Sequence, residues 1–129
     1  MFGQHPKSIL IVDDEENFVE IFSAKLKSDG FKVDSAPNGE EGLRKINANP
    51  PDMVLLDMKM PGLSGADVLF KLKGDPKTKD VKIVFLTSIG LPEKRAQDES
   101  LARAVGAAGF LDKSEDLDKV IEAIRALLK

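Results

Sequence analysis

A chain of 129 residues has room for one domain of ordinary size and leaves none for a second. The absence of cysteine excludes disulfides, thiol nucleophiles and thiolate metal centres. A net charge of −3, with Lys and Arg scattered instead of gathered in a block, argues against direct nucleic-acid binding, while the mix of apolar and charged residues places the chain among globular proteins.

The segment Met1 to Lys7 has no positive stretch ahead of an apolar core, so no secretory leader is expected. His5, the only histidine, is expected to be a mobile terminal residue. A first strand is predicted over Ser8 to Asp13, ending in the acidic run Asp13, Asp14, Glu15 and Glu16. The helix that follows should stop at Gly30, which suits a position just past a helix end. A second strand is predicted from Phe31 to Ser35, and Asn38 with Glu41 reads as a capping box opening the second helix.

Met53 to Asp57 is a continuous apolar run closed by one carboxylate, the third strand. The turn Pro61-Gly62 then leads to Ser64 and Asp67, a capping box in its Asp form. Gly74 to Asp80 reads as a solvated surface loop. Val81 to Thr87 is the fourth strand, and about Glu93 to Val105 a fourth helix with few residues to offer a core, stopped by Gly106. Ala108 to Asp112 is the fifth strand. In the last helix Leu117, Val120, Ile121, Ile124, Leu127 and Leu128 form one stripe at 3.6-residue spacing.

Five alternations of apolar run and helix are the signature of a parallel α/β sheet. The first, third and fourth runs, nearly continuous in Ile, Val, Leu and Met, should be its centre. No run is long enough to cross a bilayer, and a cytoplasmic location is expected.

Ligands in such sheets bind beyond the carboxyl ends of the strands, where this sequence concentrates its polar residues. The first strand ends in Asp13 and Asp14, the third in Asp57, the fourth in Thr87 and Ser88, the fifth in Asp112 and Lys113. An isolated acidic pair serves a helix dipole equally well. If Asp57 lies beside the pair, however, carboxylates about 5 Å apart repel by roughly 3 kcal/mol at an effective dielectric of 20, so a cation must sit among them. Oxygen ligands without His or Cys favour magnesium. Beside such an ion an ionised Asp57 becomes a candidate nucleophile toward phosphorus, with Lys113 and Thr87 placed to hold phosphoryl oxygens.

On these residues the chain resembles a receiver domain of the two-component response regulator family, over about residues 7–129 of a single domain spanning 1–129. Asp13 and Asp14 match the family's acidic pair, Asp57 in D-M-K-M-P-G-L-S-G its phosphoacceptor, Thr87 its switch hydroxyl, Lys113 its lysine and Phe110 its aromatic switch position. The resemblance implies a flavodoxin-like, doubly wound five-stranded parallel sheet in the order 2-1-3-4-5 with five flanking helices. It further implies Mg2+ held by Asp14, Asp57 and the backbone carbonyl of Lys59, with Asp13 acting through water. Two positions depart from the family pattern. Ser114 stands where proline usually follows the lysine, suited to cap the last helix, and Phe110 has no hydroxyl.

The implied function is a signalling switch that accepts a phosphoryl group on Asp57 from a sensor histidine kinase or a histidine phosphotransfer protein. Thr87, Phe110 and the surface of helix 4, strand 5 and helix 5 would carry the response to a downstream protein, with Lys59 and Ile89 expected to tune the phosphoryl lifetime. A monomer that is not an enzyme in its own right is expected, acting by contact if the chain is complete. A haloacid dehalogenase type phosphatase would need an acid at position 59, where Lys59 stands, and Asp13 to Glu16 would repel the phosphate of a flavin. A pseudo-receiver that never accepts phosphate is the remaining alternative.

Overall fold

A computed structural model describes residues 6–88 and 92–129, the side chains of 92–95 excepted; His5 and Ile89 lie outside the described residues. The chain alternates β1 (Ser8–Val12), α1 (Glu16–Ser28), β2 (Lys32–Ala36), α2 (Gly39–Ala48), β3 (Met53–Asp57), α3 (Gly65–Lys73), β4 (Lys82–Thr87), α4 (Pro92–Ala104), β5 (Gly109–Asp112) and α5 (Leu117–Leu128). Strand bounds differ from the sequence expectation by one residue at most.

All strand pairs are parallel, in the order β2-β1-β3-β4-β5. β1, β3 and β4 are central and bury almost every side chain, because each face of the sheet is covered by helices. On one face Leu10, Val12, Val54, Leu56, Ile83 and Phe85 pack with Ile46 of α2, Val68, Leu69 and Leu72 of α3, and Ala102 of α4. On the other Ile9, Ile11, Met53, Leu55, Val84 and Leu86 pack with Phe22 and Leu26 of α1 and Val120, Ile121 and Ile124 of α5. Each fully buried aliphatic side chain contributes about 2 kcal/mol in this way. α4 is the thinnest cover: among its described side chains only Ala102 is buried.

The chain leaves β1 toward β2 on one side and reaches β3 on the other, so strand order reverses between β1 and β3. At their carboxyl ends the two diverging connections open the crevice in which such sheets bind ligands. Asp13 and Asp57 stand at this crevice. A cleft of about 570 Å3 at the opposite end, lined by Ser8, Lys32, Asn49 and Pro51, is remote from them.

Helix ends follow the predicted chemistry with two corrections. Gly30 and Gly106, past the ends of α1 and α4, adopt φ of +95° and +90°, a region open to glycine and strained for other residues. Ser64 and Asp67 form a reciprocal capping box. Asn38 accepts from the Glu41 N–H at 2.8 Å, but the Glu41 carboxylate turns to Arg44, so only half of that box forms. The N-cap of α5 is Asp116, which accepts from the Asp118 N–H at 2.8 Å, and not Ser114. Ser114 instead donates its hydroxyl to Asp112 Oδ1 at 2.7 Å, because β5 ends just before it and the helix begins later. The 74–80 loop is less solvated than expected: Thr78 is buried and donates to the Leu72 carbonyl at 2.8 Å.

Gly65 ties α3 to the end of β3. Its N–H donates to the Met58 carbonyl at 3.2 Å, and a Cβ there would stand 2.4 Å from the Asp57 carbonyl oxygen and 2.9 Å from Met58 Cα. Both obstacles are backbone, so Gly65→Ala must push α3 away from the strand end. The expected cost is about 2 kcal/mol, measured as a lowered urea midpoint at unchanged slope. An unchanged midpoint would show that the strand end yields without penalty.

Candidate functional site

Backbone bonds bring the polar strand ends into one plane. The Asp13 N–H donates to the Ala36 carbonyl, Met58 N–H to Leu86, and Lys113 N–H to Thr87 at 2.8 Å, so each ladder runs one residue past its strand. Lys113 is thereby fixed beside β4, and its side chain reaches back across the sheet.

Its ammonium lies 2.6 Å from Asp13 Oδ2 and 3.3 Å from Asp57 Oδ2 and also contacts Glu15 Oε1. The ring of Phe18 from α1 lies beneath it, 4.8 Å from nitrogen to centroid. The Lys113 side chain is 6% exposed, that of Asp13 is fully buried, and that of Asp57 is 10% exposed. Asp13, Asp14 and Asp57 each place a carboxylate oxygen within 4.8 Å of the others. The expected cluster is therefore assembled, and the cation among its carboxylates is Lys113.

One ammonium does not balance this many carboxylates. Burial is the main cause that pushes Asp57 up from 3.8 to about 6; the Lys59 N–H, donating to Oδ1 at 3.1 Å, works against the shift, Asp13 adds to it, and Lys113 opposes it. For Lys113, burial opposes the charge, but contacts with Asp13 and Glu15 outweigh it and hold the group above its ordinary value.

Asp13 Oδ1 accepts from the Glu15 N–H at 2.9 Å. Its Oδ2 is buried and touches Lys113 outside hydrogen-bonding angles, so among the described residues it is held by charge alone, without a hydrogen bond. A buried, under-satisfied carboxylate oxygen beside two further carboxylates is a donor set suited to a hard divalent cation such as magnesium.

Thr87, buried at the end of β4, accepts the Lys113 backbone N–H at its carbonyl. Side-chain alternation puts it on the face of Phe85, whose register partner is Phe110. Phe110 is half-buried against that face and lines a cleft of about 210 Å3 with Glu99, Ala102 and Arg103 of α4. Lys59 is exposed just beyond the Asp57 carboxylate.

Sequence reasoning missed Glu15 and Phe18 as partners of Lys113. Their spacing of three on one helical face was the available signal; the lysine lies 98 residues from Glu15.

A profile of the response regulator receiver domain matches residues 9–125. The chain is 36% identical over 122 residues to the response regulator PleD of Caulobacter vibrioides, covering 94% of this chain and 26% of PleD. It is 28% identical over 123 residues to the polar-differentiation response regulator DivK of Brucella anthropi, covering 95% and 97% of the two chains. Against RpaA of Synechocystis, a DNA-binding dual master transcriptional regulator, it is 31% identical and covers 94% of this chain and 48% of the relative. The chain thus spans a quarter to a half of several relatives. Among solved structures, the chemotaxis protein CheY4 of Vibrio cholerae superposes with a TM-score of 0.82 at 26% identity, covering 95% and 98% of the chains. A response regulator receiver domain protein from Clostridium thermocellum does so with 0.81 at 33%, covering 95% and 94%.

Proposed function

The chain belongs to the response regulator receiver family, and on that premise we propose that it is a single receiver domain switched by phosphorylation of Asp57. The observation that carries this reading is the convergence of the Asp57 carboxylate with Lys113 at 3.3 Å and with Asp13 and Asp14 within 4.8 Å. The donor is a phosphohistidine of a sensor kinase or phosphotransfer protein, and the protein acts in the cytoplasm as a monomer that regulates a partner instead of turning over a substrate.

An Asp57 oxygen, ionised above a pKa of about 6, forms a bond to phosphorus as the bond from phosphorus to the donor's imidazole nitrogen breaks and that nitrogen keeps the electron pair. Asp14, Asp57 and the Lys59 carbonyl would hold a magnesium ion, with Asp13 acting through water, and the ion supplies neutralisation of the charge on the transferring group. Lys113 pairs with one phosphoryl oxygen and the Thr87 hydroxyl donates to another. Thr87 moves toward the site, and Phe110, on the same face of the sheet, turns into the space it leaves. Thinly packed α4 then shifts against β5 and α5, altering the surface offered to a downstream protein. Lys59, bonded through its N–H to Asp57, flanks the approach of hydrolytic water and tunes the lifetime of the adduct, a role that the sequence pattern also gives Ile89.

The test is incubation with magnesium and a small phosphodonor, followed by intact mass. One phosphoryl group is expected on the native chain and none on Asp57→Asn. Turnover of a free phosphoester would instead favour a phosphatase, and absence of an adduct with every donor would favour a pseudo-receiver.

A further inference from the structure

A lysine ammonium carries three N–H donors. At Lys113 Glu15 and Asp57 each accept a hydrogen bond, and Asp13 adds an ion pair at 2.6 Å. The Phe18 ring closes a further side of the ammonium. An incoming phosphoryl oxygen therefore finds the ammonium surrounded by three carboxylates and a ring, and to reach it one carboxylate must give way.

The three are not equivalent. Asp13 has a fully buried side chain, so withdrawing it from the lysine strands a charge away from water. Asp57 is the group being modified, and its side chain is 10% exposed. The Glu15 side chain is 58% exposed, stands at the N-cap of α1 without a side-chain capping bond there, and among the described residues hydrogen-bonds only Lys113, so it can rotate into solvent at the loss of that one bond.

Resting on the phosphorylation of Asp57 proposed above, we propose that Glu15 is a built-in competitor for the phosphoryl group: its carboxylate occupies the Lys113 ammonium, and phosphorylation proceeds by displacing it. Glu15 is thus a positioning residue that acts through Lys113 and makes no bond to phosphorus. It keeps the lysine aimed over Asp57 in the resting state and raises the donor concentration needed to react. Phe18 holds the ammonium in place while the partner is exchanged, because the attraction of a cation to a ring face does not depend on which carboxylate is present.

The experiment compares the native chain with Glu15→Gln, which keeps shape and removes charge, at saturating magnesium so that a change in metal affinity does not enter. Phosphoramidate is titrated, and the rate of adduct formation is followed by intact mass. An exposed ion pair of ordinary strength predicts a roughly five-fold lower half-saturating concentration for Glu15→Gln. The maximal rate should change little, a split that a loss of fold would not produce. Beryllofluoride, binding as a phosphoryl analogue, should show the same ratio by amide chemical shifts. Adducts on both proteins with equal half-saturation, or weaker for the variant, would overturn the role of Glu15 alone. No adduct on either protein would remove the reading of Asp57 and this proposal together.

Discussion

Lys113→Met should lower the stability of the metal-free protein by about 3–5 kcal/mol at neutral pH, the usual cost of removing one partner from a buried charge pair. The side chains left behind are Asp13, fully buried, and Asp57, 10% exposed, with oxygens that also lie within 4.8 Å of Asp14. Methionine keeps an unbranched apolar side chain, so the loss is that of the ammonium, its contact with the Phe18 ring included. The deficit should shrink on acidification, because protonating a carboxyl removes the unbalanced charge, and should shrink again when magnesium supplies a replacement. Urea unfolding at several pH values, with and without magnesium, measures both effects. A loss below about 1 kcal/mol, or one indifferent to pH, would mean that the ammonium is not what balances these carboxylates.

Asp57→Asn should have the opposite sign. Folding raises the Asp57 carboxyl from 3.8 to about 6, chiefly through burial, so the native state binds this proton more tightly than the unfolded chain does. Stability from this group is then greatest below pH 4, falls as pH rises between the two values, and levels off above 6. The two-unit rise corresponds to a cost of up to about 3 kcal/mol at neutral pH. Asparagine removes the ionisation while keeping the shape and the acceptor for the Lys59 N–H. The variant should match the native protein near pH 4 and exceed it by up to about 3 kcal/mol at pH 7.5, in metal-free buffer. Saturating magnesium should narrow the gap by stabilising the ionised form. Equal stability at pH 7.5 would place the ionised carboxylate in a better solvated setting than its burial indicates. The same residue is thus costly to the resting fold and necessary for phosphoryl acceptance, the trade expected where a charged group is held for its chemistry.

Legibility in the sequence followed the range of the forces involved. β1, β3 and β4 were readable because burial on both faces demands continuous apolar runs, and α5 because one buried stripe demands 3.6-residue spacing. The Ser64–Asp67 box formed because cap and backbone lie within one turn. The reading failed where a side chain had a competing partner. Glu41 prefers Arg44 to the cap, and Ser114 bonds Asp112, leaving the helix start to Asp116. Asp13, Asp57, Thr87 and Lys113 could be nominated because each ends a strand or follows its end.

The sequence by itself determined a parallel α/β sheet with acids, a hydroxyl and a lysine at its carboxyl ends, since strand and helix periodicity arise from local backbone geometry and burial. Only the tertiary structure decided that Lys113 stands among Asp13, Asp57 and Glu15 over the Phe18 ring, with Glu15 the most exposed of the three. Charge pairing depends on distance through space. Here that distance is set by four helical crossovers that carry residues 56 and 98 positions apart into contact.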